Sequence, residues 1–299
     1  MRAAGIAALT AATTASCGGG TGPTSSGPTE QIAFQSTRLT GSPDVFLMDP
    51  DGSNVRPVVS DDATNQSPVL SADGRRIAFI SDRAGTAALC VVNIDGSGLV
   101  RVTNDTFAEA NPAWSPDGLK LAFRRNSHTM DGGGLFVVNA DGTGLTLLRT
   151  GGEEPAWSPD GTRIAFSDLA STNDGQSSIY VMGSDGSGVT ELTATTAGSA
   201  SDPAWSPDGG RIAYGGVGPD NQEIFVVNAD GSDPVDITQT AAPAGEIQPA
   251  WSPDGQYIVF TGFRNGNQEI VRRKADGSSE VVLTDLGAKD MHPSWSRVP

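Results

Sequence analysis

The heptad PAWSPDG at residues 203–209 decides the fold of this chain, because it also begins at Pro112, Pro155 and Pro249. Proline fixes φ near −65° at the second position of a turn, and glycine takes the left-handed conformation that closes it. The tryptophan can fill a gap between neighbouring sheets, where its burial contributes roughly 2–4 kcal/mol. Active sites are seldom copied four times in one monomer, so we interpret the heptad as a packing and turning device.

The heptad belongs to a longer repeat. A strand-like segment similar to Ile-Ala-Phe recurs about every 45 residues, starting at Ile32, Ile77, Leu121, Ile164, Ile212 and Ile258. A second marker, Asp-Gly followed by Ser or Thr, starts at Asp51, Asp95, Asp141, Asp185, Asp230 and Asp276. Such a period with several strand-like runs is typical of a β-propeller with one blade per repeat. The sequence therefore predicts an all-β, six-bladed propeller of four-stranded antiparallel blades.

The two ends of the repeat predict how the ring closes. The first Ile-Ala-Phe-like segment, at Ile32, has no heptad before it, whereas the chain ends with Pro293-Ser294-Trp295-Ser296 and no such segment after it. We expect the C-terminal segment to supply the innermost strand of the first blade, since this leaves no open sheet edge. The tryptophans that mark the repeat are Trp114, Trp157, Trp205, Trp251 and Trp295.

Composition narrows the class of partner. The chain has 299 residues, 38 glycines, 19 prolines and a formal net charge of −16. Nucleic-acid binding draws most of its affinity from Lys and Arg, so we expect neither a nucleic-acid partner nor binding to an anionic membrane surface. We expect a monomer whose Cys90, inside an apolar run, is a buried thiol.

The first 30 residues form a separate piece. One basic residue precedes the uncharged, alanine-rich run 3–16, which is typical of a short secretory signal. The end of the run, Thr14-Ala15-Ser16-Cys17, resembles the lipobox of bacterial lipoproteins, with Thr14 where that family usually has leucine. The resemblance implies an exported protein, periplasmic or on the cell surface, that is held to the membrane only by lipid on Cys17.

Three parts of the chain follow from this. We expect a signal peptide over residues 1–17, a Gly/Ser/Thr/Pro tether over 18–30 and the propeller over 31–299. The alternative for the first part is a cleaved signal peptide with an incidental cysteine.

Polar residues precede every repeat proline, where the chain enters the mouth of a propeller channel. They are Ser67, Asn111, Glu154, Asp202, Gln248 and His292. Two residues earlier, Glu109, Glu246 and Asp290 add three carboxylates. If side chains alternate along the strand, both sets face one acidic mouth. A different side chain at each matching position of a constant scaffold predicts a binding surface, although polar loop residues near solvent are the alternative.

Charged residues of the loops between the second and third strands should open on the same face. They are Arg38, Arg83, Arg124, Arg125, Arg264, Asp44, Asp168, Asp174 and Asp220. A rim of mixed charge suits a protein or peptide partner better than a bare cation.

The sequence gives little support for an enzymatic function. The motifs G-x-S-x-G, H-E-x-x-H and C-x-x-C do not occur, and the chain has only 2 histidines. We therefore expect no catalytic residue, cofactor or metal. The pair Glu154 and Asp202 could serve as acid and base in glycoside chemistry, which leaves a carbohydrate-binding or carbohydrate-active propeller (lyase or glycosidase) as the alternative. The N-x-D-G-S/T turns invite a calcium hypothesis, but they lack the ligand spacing of an EF-hand and predict hairpins.

The full repeat, P-x-W-S-P-D-G-x-x-I-A-F followed by I-F-V-V-N-x-D-G-S, resembles the WD-like propeller repeat of TolB-type proteins of the bacterial envelope. The resemblance covers residues 31–299. It implies a six-bladed propeller that binds protein partners in the periplasm. The same repeat occurs in some pectin-fragment lyases, which is consistent with the carbohydrate alternative.

Overall fold

The computed structural model describes residues 29–104, 106–126, 133–169, 175–193, 198–218, 221–240, 245–264, 266–284 and 287–298. Within these ranges the chain forms six antiparallel sheets of four strands each. No described segment is a helix that could cross a bilayer. The predicted all-β, six-bladed propeller is confirmed.

The strands of each blade are named A to D from the channel outward. Blade 1 contains β24 (Asp290–Val298), β1 (Thr29–Ser36), β2 (Asp44–Met48) and β3 (Arg56–Val59). Blade 2 contains β4 (Asn65–Leu70), β5 (Arg76–Ser81), β6 (Ala88–Asn93) and β7 (Val100–Arg101). Blade 3 contains β8 (Glu109–Trp114), β9 (Lys120–Arg125), β10 (Gly134–Asn139) and β11 (Thr146–Thr150).

The remaining blades follow the same order along the chain. Blade 4 contains β12 (Glu153–Trp157), β13 (Arg163–Leu169), β14 (Ser177–Gly183) and β15 (Thr190–Glu191). Blade 5 contains β16 (Ala200–Trp205), β17 (Arg211–Val217), β18 (Gln222–Asn228) and β19 (Val235–Asp236). Blade 6 contains β20 (Glu246–Trp251), β21 (Tyr257–Arg264), β22 (Asn267–Lys274) and β23 (Val281–Val282).

The ring closes through the C-terminal strand, as predicted. Strand β24 pairs with β1 from Thr29 opposite Val298 to Ser36 opposite Asp290, and Ile32 lies opposite Trp295. Each A strand contacts the A strands of both neighbouring blades, from β24 to β4 and onward to β20 and back to β24. The six A strands therefore surround a central channel.

Tryptophans of the heptad pack between blades. Trp205 belongs to a buried cluster with Ala165 and Ile179 of the preceding blade. Its Nε1 donates to the carbonyl of Ala156 at 3.2 Å, and the guanidinium of Arg163 lies 4.5 Å from its ring centre. Both contacts recur at two other junctions, where Trp114 meets Val69 and Arg76 and Trp251 meets Ala204 and Arg211. The heptad thus joins blades as well as turning the chain.

Three junctions depart from this pattern. At the junction between blades 6 and 1, Trp295 Nε1 donates to Glu30 Oε2 at 3.1 Å, and its ring stacks with Tyr257. Trp157 has a buried Nε1 without a hydrogen-bond partner among the described residues, and the position that holds arginine at other junctions is Lys120. At the junction between blades 1 and 2, Leu70 replaces the tryptophan and buries a smaller side chain.

The turn of each heptad is a tight hairpin between strands A and B. In blade 5 the N–H of Gly209 donates to the carbonyl of Ser206 at 2.9 Å, and the Ser206 hydroxyl donates to Asp208 at 2.5 Å. Gly209 has a φ of 71°, and a Cβ on it would lie 3.3 Å from Cγ of Pro159 in the preceding turn. The turns therefore also pack against one another around the ring.

Cys90 is 1% exposed and free, as predicted. Burial raises the pKa of its thiol. Cys17 and most of the predicted tether lie outside the described residues.

Candidate functional site

Six polar residues surround one end of the central channel, each immediately before a repeat proline. They are Ser67, Asn111, Glu154, Asp202, Gln248 and His292. All are half-buried, because they border the channel and not the outer surface. We call these six residues the channel ring. The structure therefore brings this sequence-predicted set together around one axis.

A β-bulge places each ring residue. All six have a positive φ between 52° and 59°, a conformation that residues other than glycine rarely adopt. In blade 5, Ser201 pairs with Gly215 and Ala204 with Ala213, so Asp202 and Pro203 together oppose one residue. Proline has no N–H to give to the ladder, which favours a bulge at this point. The repeat proline thus determines where the ring side chains stand.

The channel encloses about 660 Å³. At the end opposite the ring it is lined by the turn prolines Pro116, Pro159, Pro207 and Pro253. Because strands alternate in direction, the D–A and B–C loops lie at the ring end and the A–B and C–D turns at the other. We call the ring end the mouth. The volume of the channel falls in the range of sites that enclose a small ligand or a short segment of chain.

Hydrogen bonds join the four consecutive ring residues of blades 4, 5, 6 and 1. Glu154 Oε2 accepts the backbone N–H of Asp202 at 2.7 Å and the hydroxyl of Ser167 at 2.8 Å. The Asp202 carboxylate accepts the backbone N–H of Gln248. Gln248 Oε1 accepts the N–H of His292 at 3.2 Å, and its Nε2 lies 2.7 Å from His292 Nε2. These bonds hold the side chains in place before any ligand arrives, which lowers the entropic cost of binding.

The two ring carboxyls share an unusual environment. Desolvation, and then the charge of Glu154, raise the pKa of Asp202 to about 8. Desolvation also raises the pKa of Glu154. Two close carboxyls cannot both ionise freely, so the pair retains a proton near neutral pH. Desolvation lowers the pKa of His292 to about 4, so its imidazole is neutral. The mouth can therefore accept a positive charge or hydrogen-bond donors.

The further carboxylates predicted for the mouth lie elsewhere. Glu109, Glu246 and Asp290 are 3%, 0% and 0% exposed and do not line the channel. Asp290 pairs with Arg38 at 2.8 Å, and Glu246 pairs with Arg264 at 2.6 Å. The bulge interrupts the alternation on which the prediction depended, so the expectation of one shared funnel is wrong. These acids are buried partners of hydrogen-bond donors within the fold.

Most charges of the predicted rim also have partners inside the chain. The ion pairs are Arg83 with Asp61 at 3.3 Å, Arg124 with Glu153 at 3.0 Å and Arg149 with Asp168 at 2.5 Å. Arg125 stacks over Phe107, and Asp44 is fully buried. Asp174 and Asp220 lie outside the described residues. The rim therefore presents less unpaired charge than the sequence predicted.

Three B-strand residues contribute to the site and were missed in the sequence. Ser167 donates to Glu154, Thr261 Oγ1 donates to Gln248 Oε1 at 2.8 Å, and Gln35 Oε1 accepts the N–H of Ser67 at 2.9 Å. All three stand three places after the first residue of the Ile-Ala-Phe segment. Polar residues occupy that repeat position in four of the six blades, within an otherwise apolar strand, and this was the signal that could have found them.

The Asp-Gly turns have local hydrogen bonds in place of metal ligands. Asp230 Oδ1 accepts the N–H and the hydroxyl of Ser232 at 3.0 and 2.7 Å. Across the described part of the chain, no three His, Cys, Asp or Glu side chains are grouped so that they could hold a metal ion.

Comparison with known proteins identifies relatives of the fold. TolB from Acinetobacter baumannii is 20% identical, with a TM-score of 0.77 over 90% of this chain and 67% of that one. A putative TolB from Agrobacterium tumefaciens is 19% identical, with a TM-score of 0.69 over 92% of this chain and 100% of that one. An oligogalacturonate lyase from Vibrio parahaemolyticus is 13% identical, with a TM-score of 0.60 over 86% of this chain and 75% of that one.

No protein of curated function matches the sequence. The family model of the TolB β-propeller domain (PD40) matches residues 6–154 and 149–298. These matches take in every blade whose strands and ring residues are described above, and the chain belongs to the TolB β-propeller domain family.

Proposed function

We propose that the chain is an exported, lipid-anchored propeller without enzymatic activity, which binds a segment of a protein or peptide at the mouth of its channel. The observation that carries this proposal is the channel ring. Six different polar side chains occupy one equivalent, conformationally costly position around a channel of about 660 Å³. Backbone strain that recurs at every blade while the side chain varies is typical of a recognition surface.

Export and anchoring are supported by the N-terminal sequence. A short uncharged run ends at Cys17, and the residues after it have the composition of a flexible tether. Cys17→Ala should move the protein from the membrane fraction to the soluble fraction without changing its export. If both forms fractionate with the membrane, anchoring through Cys17 is wrong.

Site-directed crosslinking tests the binding surface. Ser67→Cys, labelled with a thiol-reactive benzophenone, places the probe in the ring, while Cys90 is buried and stays unlabelled. The matched control is Val100→Cys, on the exposed outer strand of the same blade. Irradiation in native envelopes should give a protein adduct from the ring position alone. Adding Glu154→Gln and Asp202→Asn should lower the yield about tenfold.

A charge control makes this result specific. Asp95→Asn with Asp141→Asn removes two carboxylates from turns at the face opposite the mouth. This variant should crosslink as the parent does. Equal adducts from both labelled positions, or equal losses in both carboxylate variants, would place the partner elsewhere.

The carbohydrate alternative is favoured by one observation, the pair Glu154 and Asp202 with its retained proton. Glycoside hydrolysis needs one carboxyl as acid and another as base or nucleophile. A panel of oligosaccharides that includes oligogalacturonides separates the two functions. Turnover that disappears in Glu154→Gln would establish the enzyme and overturn the non-enzymatic proposal.

A further inference from the structure

Among the described residues, the large exposed apolar side chains at the mouth end lie on four consecutive blades, with Leu39 in the B–C loop of blade 1 and the others at the ends of the B strands of blades 4 to 6. The residue five places after the start of each Ile-Ala-Phe segment stands at or just beyond the mouth end of strand B. In blades 1 to 6 this position holds Thr37, Asp82, Asn126, Leu169, Val217 and Phe263. Leu169, Val217 and Phe263 are 70%, 37% and 39% exposed. We call these three residues the apolar arc.

The apolar arc is not a by-product of the repeat. Apart from Leu39 and from Leu119 in the A–B turn of blade 3, the other large exposed apolar residues among those described lie on or beside the outermost strands, namely Val55, Leu99, Val100, Leu145, Leu147, Val189, Val235, Val281 and Val282. Those residues follow the repeat. The arc, in contrast, occupies three consecutive blades, whereas the same position is polar in the other three. Clustered apolar exposure beside a channel marks a contact surface more often than scattered apolar residues do.

The arc lies in the same sector of the mouth as the ring carboxyls. Glu154 and Asp202 belong to blades 4 and 5, the first two blades of the arc. Ser167 donates to Glu154, and Leu169 is two residues further along the same strand. Residues two apart on a strand share one face. An apolar surface therefore continues directly into the acidic part of the channel.

We propose that the apolar arc and the Glu154–Asp202 pair together bind a protein segment in which a lysine or arginine lies beside apolar side chains. This inference rests on the proposed function and names the chemistry of the partner. The apolar side chains cover the arc, and the cationic side chain enters the mouth, where the carboxylate pair accepts its N–H donors. A lipid surface is a poorer fit, because anionic headgroups are repelled by a chain of net charge −16.

Selection from a phage-displayed library of random 12-residue peptides tests the proposal without a known partner. Peptides enriched on the parent protein should carry a basic residue within three positions of an apolar one. Their affinities are then compared by fluorescence anisotropy. Leu169→Ser/Val217→Ser/Phe263→Ser should weaken binding at least 30-fold, and Glu154→Gln/Asp202→Asn at least tenfold. The matched control, Asp82→Ser/Asn126→Ser, changes the same position on polar blades and should alter Kd less than threefold.

Several results would overturn the proposal. These are an absence of enriched peptides, enrichment of acidic peptides, or equal weakening by the arc variant and its control. Binding to vesicles of phosphatidylcholine and phosphatidylglycerol that the arc variant abolishes would assign the arc to a membrane. If Ser67 crosslinking succeeds while the arc variant binds normally, the inference fails and the proposed function stands. If crosslinking and selection both fail, the proposed function fails as well.

Discussion

Replacing Gly74 by alanine should release the C-terminal strand from the ring. Gly74 closes the A–B turn of blade 2 with a φ of 64°. A Cβ there would lie 1.9 Å from the carbonyl oxygen of Arg297 and 2.7 Å from Cα of Val298. Atoms this close must move apart by more than about 1 Å, since non-bonded carbon contacts lie near 3.5 Å. The end of β24 therefore has to leave its place beside β1.

The expected loss in free energy of unfolding for Gly74→Ala has two parts. An alanine in the left-handed conformation costs about 1–2 kcal/mol. Loss of the final pairings of β24 and partial exposure of Val298, now 6% exposed, add about 2–3 kcal/mol. Gly74→Ala should therefore lower the free energy of unfolding by about 3–5 kcal/mol in urea titrations.

Gly209→Ala is the matched control. It occupies the equivalent turn of blade 5 with a φ of 71°, but the nearest atom to its Cβ is Cγ of Pro159 at 3.3 Å. Gly209→Ala should lower the free energy of unfolding only by the cost of alanine in the left-handed conformation, about 1–2 kcal/mol. Hydrogen exchange at residues 295–298 should rise in Gly74→Ala alone. Equal destabilisation by both variants, with unchanged exchange in β24, would refute the account of how the ring closes.

Three further predictions concern other contacts. Trp205→Phe loses the indole hydrogen bond to Ala156 and part of the stacking with the Arg163 guanidinium, so it should lower the free energy of unfolding by about 1–2 kcal/mol. Trp157→Phe loses no hydrogen bond and should cost less than half as much in the same urea titration; equal costs would contradict the assigned contacts. The raised pKa of Asp202 makes the folded state bind more protons than the unfolded state between pH 3.8 and about 8, so this group favours folding at low pH and loses that effect as pH rises. Melting temperatures should fall from pH 7 to 8.5 in the parent and fall less in Asp202→Asn; parallel curves would mean that Asp202 titrates normally. Arg264→Ala leaves Glu246 buried without its guanidinium and should cost about 3 kcal/mol at pH 7 by chemical denaturation. Desolvation raises the pKa of Glu246, so part of this loss should be recovered as the pH is lowered and Glu246 protonates; a pH-independent loss would argue against a buried ion pair.

The sequence was sufficient to predict the blades because their determinants are local. Turn residues at fixed spacing, strand runs between them and a tryptophan at five of the six copies recur often enough to specify six units and the C-terminal strand that closes the ring. The ring residues were also predictable, because they share one position relative to the repeat proline.

The direction in which the side chains next to the ring residues point could not be predicted from the sequence. Strict alternation along strand A would have put Glu246 and Gln248 on one surface, but the bulge at Gln248 and Pro249 separates them. The repeat proline favours a bulge, but the facing of the residues before it follows from the register with strand B, in which Gln248 and Pro249 together oppose Phe260. The pairing of Arg264 with Glu246 depends on the register between β20 and β21, in which Glu246 lies opposite Gly262, and strand A alone does not indicate it.

The pairing of Thr29 with Val298 fixes where the segment proposed as a tether would join the propeller. Strand β1 begins at the face of the A–B and C–D turns, which is the side opposite the mouth. If residues 18–28 were fully extended, they would reach at most about 40 Å. In the proposed attachment through Cys17, the membrane would lie on the side of the A–B and C–D turns, and the mouth would open away from that membrane into the aqueous compartment. A protein partner approaching from that compartment, or from a facing membrane, would reach the mouth without crossing the headgroups of the membrane to which Cys17 would be attached.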